Sequence, residues 1–183
     1  MEISEDYAAR ILSVLQELGI SPQQVTARGL PLCPEATSLV VAECVDDGRE
    51  HQLQPKAAQA WLLLRDAARR DGVELYIVSA FRSVSRQADI IRRKLAAGQS
   101  LAAILTVSAL PGYSEHHTGR AVDIGTPGSA ALQTAFESTP AFHWLAKHAA
   151  TFGFTLSYPR NNPLGYVYEP WHWLYQGKPS QPD

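Results

Sequence analysis

The chain is expected to fold as a single α+β domain, with a mostly antiparallel sheet flanked by helices, and three observations lead there. Helical periodicity dominates the early part, β-rich runs gather late, and no βαβ repeat connects them. At 183 residues the chain is long enough to bury a real core without staples. Apolar residues at 45% and charged residues at 19% are an ordinary globular balance, which argues against disorder. The expected organisation is a helix and lead-in over 1–53, a core over 54–176 and a tail over 177–183.

Each element has a local reason. Asp6 to Leu18 places Ala9, Ile11, Leu12, Leu15 and Leu18 at helical spacing, and Gly19 ends it. A Pro- and Gly-rich loop runs through Pro34. Leu39 to Ala42 then reads as a strand turning at Asp46-Asp47-Gly48. Pro55 suits the first turn of a helix that carries Ala57, Ala60, Trp61, Leu64 and Ala68 on one face and stops near Gly72. Val73 to Ala80 is β-rich and reads as a central strand. A helix follows with Ala88, Ile91 and Leu95 buried and Gly98 as its stop, and Ser100 caps a short helix through Leu105. Residues 106–120 read as a loop and Ala121 to Ile124 as a strand. Thr139-Pro140 opens a helix to Gly153 that buries Phe142, Leu145 and Ala149. Phe154 to Tyr158 and Tyr166 to Tyr175 read as strands joined by the turn-rich residues 160–165.

Charge and composition exclude several functions. A formal charge of -2 gives no reason to expect nucleic acid or an anionic membrane as partner. Arg69-Arg70 and Arg92-Arg93-Lys94 lie on helices and read as solvated faces. No window is apolar enough to span a bilayer. The acidic start, Met1 to Asp6, does not resemble a secretory signal, so the chain as it stands is expected in the cytoplasm; a longer N-terminus would place it in the periplasm or cell wall. Cys33 and Cys44 are expected unpaired, since a domain of this size does not need the bond.

Two segments concentrate chemistry: Ser114 to Asp123 and Glu169 to Trp173. His116 and Asp123 lie seven residues apart across Gly119, where a small residue lets the chain turn tightly enough for both to meet one ion. A buried Asp123 needs a partner, either a metal or Arg120, and a nearby histidine favours the metal. His116 and His117 point to opposite sides if the chain is extended, so one faces an ion and the other does not. Glu169 and His172 face opposite ways on a regular strand, but Pro170 breaks that regularity. Three protein ligands plus an open position suit catalytic zinc, and a free glutamate beside them can take a proton from water. Arg82 leaves the end of a strand, and its planar fork matches a carboxylate. His51, His143 and His148 are read as non-ligands; the last two are five apart, not the i, i+4 spacing of a helical zinc pair.

Ser-x-His-x-x-Gly-x-x-x-Asp (Ser114, His116, Gly119, Asp123) followed by Glu-x-Trp-His (Glu169 to His172) resembles the zinc D-alanyl-D-alanine carboxypeptidases, the VanY-like family that also includes LD-carboxypeptidases. PAFHWLAKHAATFGFTLSYP and GYVYEPWHW are similar to the same family, and the likeness covers about residues 54–176. It implies a Hedgehog/DD-peptidase-like fold, with Zn2+ on His116, Asp123 and His172 and Glu169 as general base. It makes Arg82 the substrate anchor and the stabiliser of charge at the scissile carbonyl, and Ser114, Gln87 and Trp171 lining residues of the cleft. The implied reaction removes a C-terminal D-alanine from a peptidoglycan stem peptide or muropeptide, of DD or LD type, without a covalent intermediate. Ser-Ala-Phe-Arg-Ser stands where the family commonly has Ser-Gly-Tyr-Arg-Ser. The alternatives are an L-alanyl-D-glutamate-type endopeptidase and a zinc-containing binding module without turnover.

Overall fold

The computed structural model describes residues 3–26, 29–45 and 48–177. In chain order these form α1 (Glu5–Glu17), α2 (Pro22–Thr26), β1 (Val40–Cys44), β2 (Glu50–Leu53), α3 (Pro55–Arg70), β3 (Tyr76–Ser79), α4 (Val84–Ala96) and α5 (Leu101–Val107). After these come β4 (Ala121–Gly125), α6 (Pro140–His148), β5 (Phe154–Leu156) and β6 (His172–Tyr175), with short 3-10 turns at Glu115–Thr118, Thr134–Ser138 and Ala149–Phe152. β1 and β2 make an antiparallel hairpin; the other four strands form an antiparallel sheet in the order β3-β4-β6-β5. The fold is α+β, as expected.

Two cores support it. Trp61, Leu64 and Ala68 of α3 pack with Ile77, Val122, Ile124, Leu145, Phe154 and Trp173 beneath the sheet. Ile11 and Leu15 of α1 pack with Val84, Ala88 and Ile91 of α4 and Ile104 and Leu105 of α5. The first helix is thus bound into the structure. Truncating the buried Leu15 to alanine is expected to destabilise the protein by about 2–5 kcal/mol, read from the denaturant midpoint.

Capping fixes where the helices begin. Ser83 Oγ accepts from Arg86 N, Ser100 Oγ from Ala103 N and Thr139 Oγ1 from Phe142 N, each satisfying an orphan donor of the first turn. Pro55 and Pro140 occupy the first helical turns.

Several expectations need correction. Val73 to Ala80 narrows to Tyr76–Ser79, and this strand lies at the sheet edge, not the centre. Its outer side meets the hairpin, where Glu43 Oε1 accepts from Ile77 N and Gln52 O from Phe81 N. Tyr166 to Tyr175 is strand only from His172, because Pro170 occupies a turn. The last α-helix stops at His148 and continues as a 3-10 turn. α2, β2 and the 3-10 turn at Glu115–Thr118 occupy segments read as loop or left unassigned. The predicted turn at Asp46-Asp47 falls outside the described residues, as does the tail after Gly177. Cys33 and Cys44 are both free.

Candidate active site

Strand register joins the two motifs. β4 and β6 pair so that Asp123 lies directly opposite His172, although they are 49 positions apart. His116 arrives from the 3-10 turn preceding β4. That turn ends at Gly119, whose φ of 63° lies in the left-handed region. A Cβ there would sit 2.9 Å from Leu39 Cδ2 and 3.2 Å from both Ala36 Cβ and Gln54 N, so glycine is required by space as well as by backbone.

The three side chains converge. His116 Nε2 is 3.2 Å from Asp123 Oδ2, and His172 Nδ1 is 2.9 Å from Asp123 Oδ1. One ligand atom from each lies within 4.8 Å of the others, and all three residues are buried. Their outer atoms set the tautomers. His116 Nδ1–H donates to Ala80 O at 2.7 Å, leaving Nε2 as the lone-pair atom facing Asp123. His172 Nε2–H donates to Glu115 Oε2 at 2.9 Å, which turns Nδ1 inward. This donor set, two imidazoles each held from behind and a carboxylate between them, suits a divalent ion of the zinc type.

Electrostatics agree with that reading. Burial opposes ionisation of Asp123, yet the two histidines outweigh it and hold the carboxyl well below its usual range. Burial also disfavours the His172 cation, but hydrogen bonds to Asp123 and Glu115 prevail and raise it to about 10. Two carboxylates around one imidazole therefore draw a cation, whether proton or metal. His116 moves the other way, lowered chiefly by burial, and stays neutral.

Glu169 stands beside this group. His172 N donates to Glu169 O, closing a four-residue turn with Pro170 at its second position, the place where fixed φ is favourable. The turn brings both side chains to one side, with Glu169 Oε2 4.0 Å from His172 Nδ1. Burial, the largest influence, pushes Glu169 up to about 7. Arg82 enters from the end of β3, its Nη1 bonded to Gln87 Oε1 and its Nη2 to Ser79 Oγ.

These groups line one cleft of about 370 Å³, together with Ser114, Tyr158 and Trp171. Gln87 departs from expectation. It is fully buried, and its amide is spent between Arg82 and Ala109 O, so it orients the arginine from behind and does not line the cleft. Arg120 is not the partner of Asp123; its Nε donates to Tyr175 O.

The family model for VanY, D-alanyl-D-alanine carboxypeptidase, matches residues 50–178. The chain belongs to the VanY family. YodJ of Bacillus subtilis strain 168 is 37% identical over 157 residues, which is 81% of this chain and 57% of that protein. The D-alanyl-D-alanine carboxypeptidase of Enterococcus faecalis strain V583 is 35% identical over 124 residues, 62% of this chain and 44% of that one. The chain thus spans about half the length of these two curated relatives. Among solved structures, the LdcB LD-carboxypeptidase is similar with a TM-score of 0.71 and 34% identity over 79% of this chain and 70% of that one. A vancomycin-resistance D,D-pentapeptidase VanY, solved in complex with Zn(II), gives 0.64 and 31% over 80% and 83%.

Glu115 of this VanY-family site escaped the reading of its sequence, and His117, the adjacent histidine that does not face the ion, proves to be a buried brace. Glu115 braces His172 and also accepts from Ser157 Oγ at 2.6 Å. His117 is buried: its Nε2 accepts from Gly112 N, and its Nδ1–H donates to Arg82 O at 2.6 Å. Burial lowers His117 to about 4, keeping it neutral in that double role. Glu115's partners and the Arg82 carbonyl lie far away in the sequence, so no local pattern marks those contacts. The lead-in adds further braces, with Cys33 N donating to Gly112 O and Ala36 N to His117 O.

Proposed function

We propose that this VanY-family chain is a zinc carboxypeptidase that removes a C-terminal D-alanine from peptidoglycan stem peptides. The observation that carries this is the shared cleft: His116, Asp123 and His172 on one wall, with Glu169 and Arg82 beside them. Membership of the family and the activities of its relatives support the substrate class.

His116 Nε2, Asp123 and His172 Nδ1 would hold the metal. Zinc bound there supplies a Lewis acid, making water ionisable near neutral pH and drawing charge from the scissile carbonyl. Glu169 accepts the proton of the attacking water and returns it to the leaving amine. Its raised proton affinity suits that exchange better than an ordinary surface carboxylate would. Arg82, fixed by Ser79 and Gln87, keeps further N–H donors for the carbonyl oxygen as negative charge develops there.

Mass spectrometry of stem peptides incubated with zinc-loaded protein tests this reading. Loss of one alanine from the pentapeptide ending in D-Ala-D-Ala assigns DD activity. Loss from the tetrapeptide, where the terminal D-alanine follows an L-centre, assigns LD activity. Cleavage nearer the N-terminal L-alanine, or of neither peptide, would sink it. Glu115→Gln is expected to weaken zinc binding by roughly 10- to 100-fold, since outer partners of ligating histidines usually count for that much. Competition against a chromogenic chelator measures it.

A further inference from the structure

The basic run Arg92-Arg93-Lys94 is not uniformly a solvated face. Arg92 pairs with Asp89 and Glu17 at the surface, and Arg93 donates to Asp89 O. Lys94 instead turns into the cleft, where its Nζ donates to Ser108 Oγ at 2.7 Å. No carboxylate among the described residues lies within ion-pair distance of it. Among the described residues, Lys94 and Arg82 are the lysine and arginine that line this cavity.

Resting on the carboxypeptidase reading, we propose that Lys94, seated on Ser108, docks the C-terminal carboxylate of the peptide substrate. An enzyme that trims chain ends must sense an end, and a free carboxylate is what distinguishes it from an internal residue. On that reading Arg82 serves the scissile carbonyl, so a carboxylate one residue further on needs a cation of its own. Gln87, Ile90 and Lys94 lie at i, i+3 and i+7 on one face of α4, and Gln87 is the residue that holds Arg82. From Gln87 to Lys94 the helix rises about 10 Å. Helical side chains lean toward the N-terminus, which brings the ammonium back toward Arg82. Lys94 is disfavoured as a cation first by burial and then by the Arg82 charge, while Glu169 favours it, as expected for charges around one cavity. Ser108 orients the ammonium without neutralising it. One N–H is spent on that hydroxyl, and two remain for a carboxylate.

The test compares the stem peptide that the protein cleaves with its C-terminal amide, using zinc-loaded wild type and the K94M and K94R variants. Wild type should prefer the free acid. K94M should raise KM for the acid by roughly 10- to 100-fold, the usual worth of a hydrogen bond to a charged group, and leave the amide unchanged. K94R should recover part of the preference. An acid-over-amide ratio that survives in K94M overturns the proposal, as does an equal loss on both peptides. So does a K94M defect that follows a carboxylate upstream of the cleaved bond. If wild type removes alanine from neither peptide, the carboxypeptidase reading falls and the role of Lys94 falls with it. Intact turnover with an unmoved ratio removes the Lys94 role alone.

Discussion

Glu169→Gln is expected to lower kcat by about 10²- to 10⁴-fold, the usual contribution of a positioned general base, while zinc content and unfolding temperature stay near wild type. Glutamine keeps the shape and still fills the turn closed by His172 N and Glu169 O, a bond between backbone atoms that the substitution does not touch. What it removes is the ability to accept a proton. Steady-state turnover alongside metal analysis checks the prediction. A variant with full turnover would show that another group moves the proton and would end the assignment of Glu169 as base. The same variant separates an enzyme from a zinc-containing binding module, because a structural site has no use for a free base.

Asp123→Asn is expected to weaken zinc binding by more than about 100-fold, beyond the usual cost of losing an outer partner. Asp123 sits between two imidazoles, 3.2 Å from His116 Nε2 and 2.9 Å from His172 Nδ1, and is buried with both. Asparagine keeps the volume but removes the charge that balances a buried cation. Removing one partner of a buried charge pair typically costs about 3–5 kcal/mol, so the metal-free protein should also unfold at lower denaturant. Chelator competition and a denaturant titration read the two effects separately. Unchanged affinity would mean that Asp123 does not touch the ion.

Local chemistry made much of this visible beforehand. Pro55 and Thr139-Pro140 announce their helices because capping and fixed φ act within a few residues. The strand at Ala121–Gly125 was legible for a similar reason. β2 was not: Glu50-His51-Gln52-Leu53 has no apolar alternation, and it is extended because it pairs with β1. The aromatic alternation around Trp171, Trp173 and Tyr175 suggested a longer strand than exists, since Pro170 turns the chain. Spacing within each motif pointed to His116, Asp123, Glu169 and His172 as a group. The braces could not be read in that way. Glu115 reaches His172 across 57 positions and Ser157 across 42, and Gln87 was assigned to the cleft when it stands behind Arg82.

The two cores have a consequence for how such a chain can change. One jaw of the cleft is the central strand pair and the turn before His172, backed by the core under the sheet. The opposing jaw, α4 and the end of α5, rests on the other core together with the first helix. Bond-breaking groups are therefore locked into strand register, where a one-residue slip would scatter them. Ile90, Lys94 and Val107 stand on helices, with Ser108 just past the end of α5, and their outward positions can be exchanged without moving that register. On the proposed carboxypeptidase reading, peptide preference is retuned by exchanging one jaw, with the reaction left where it is.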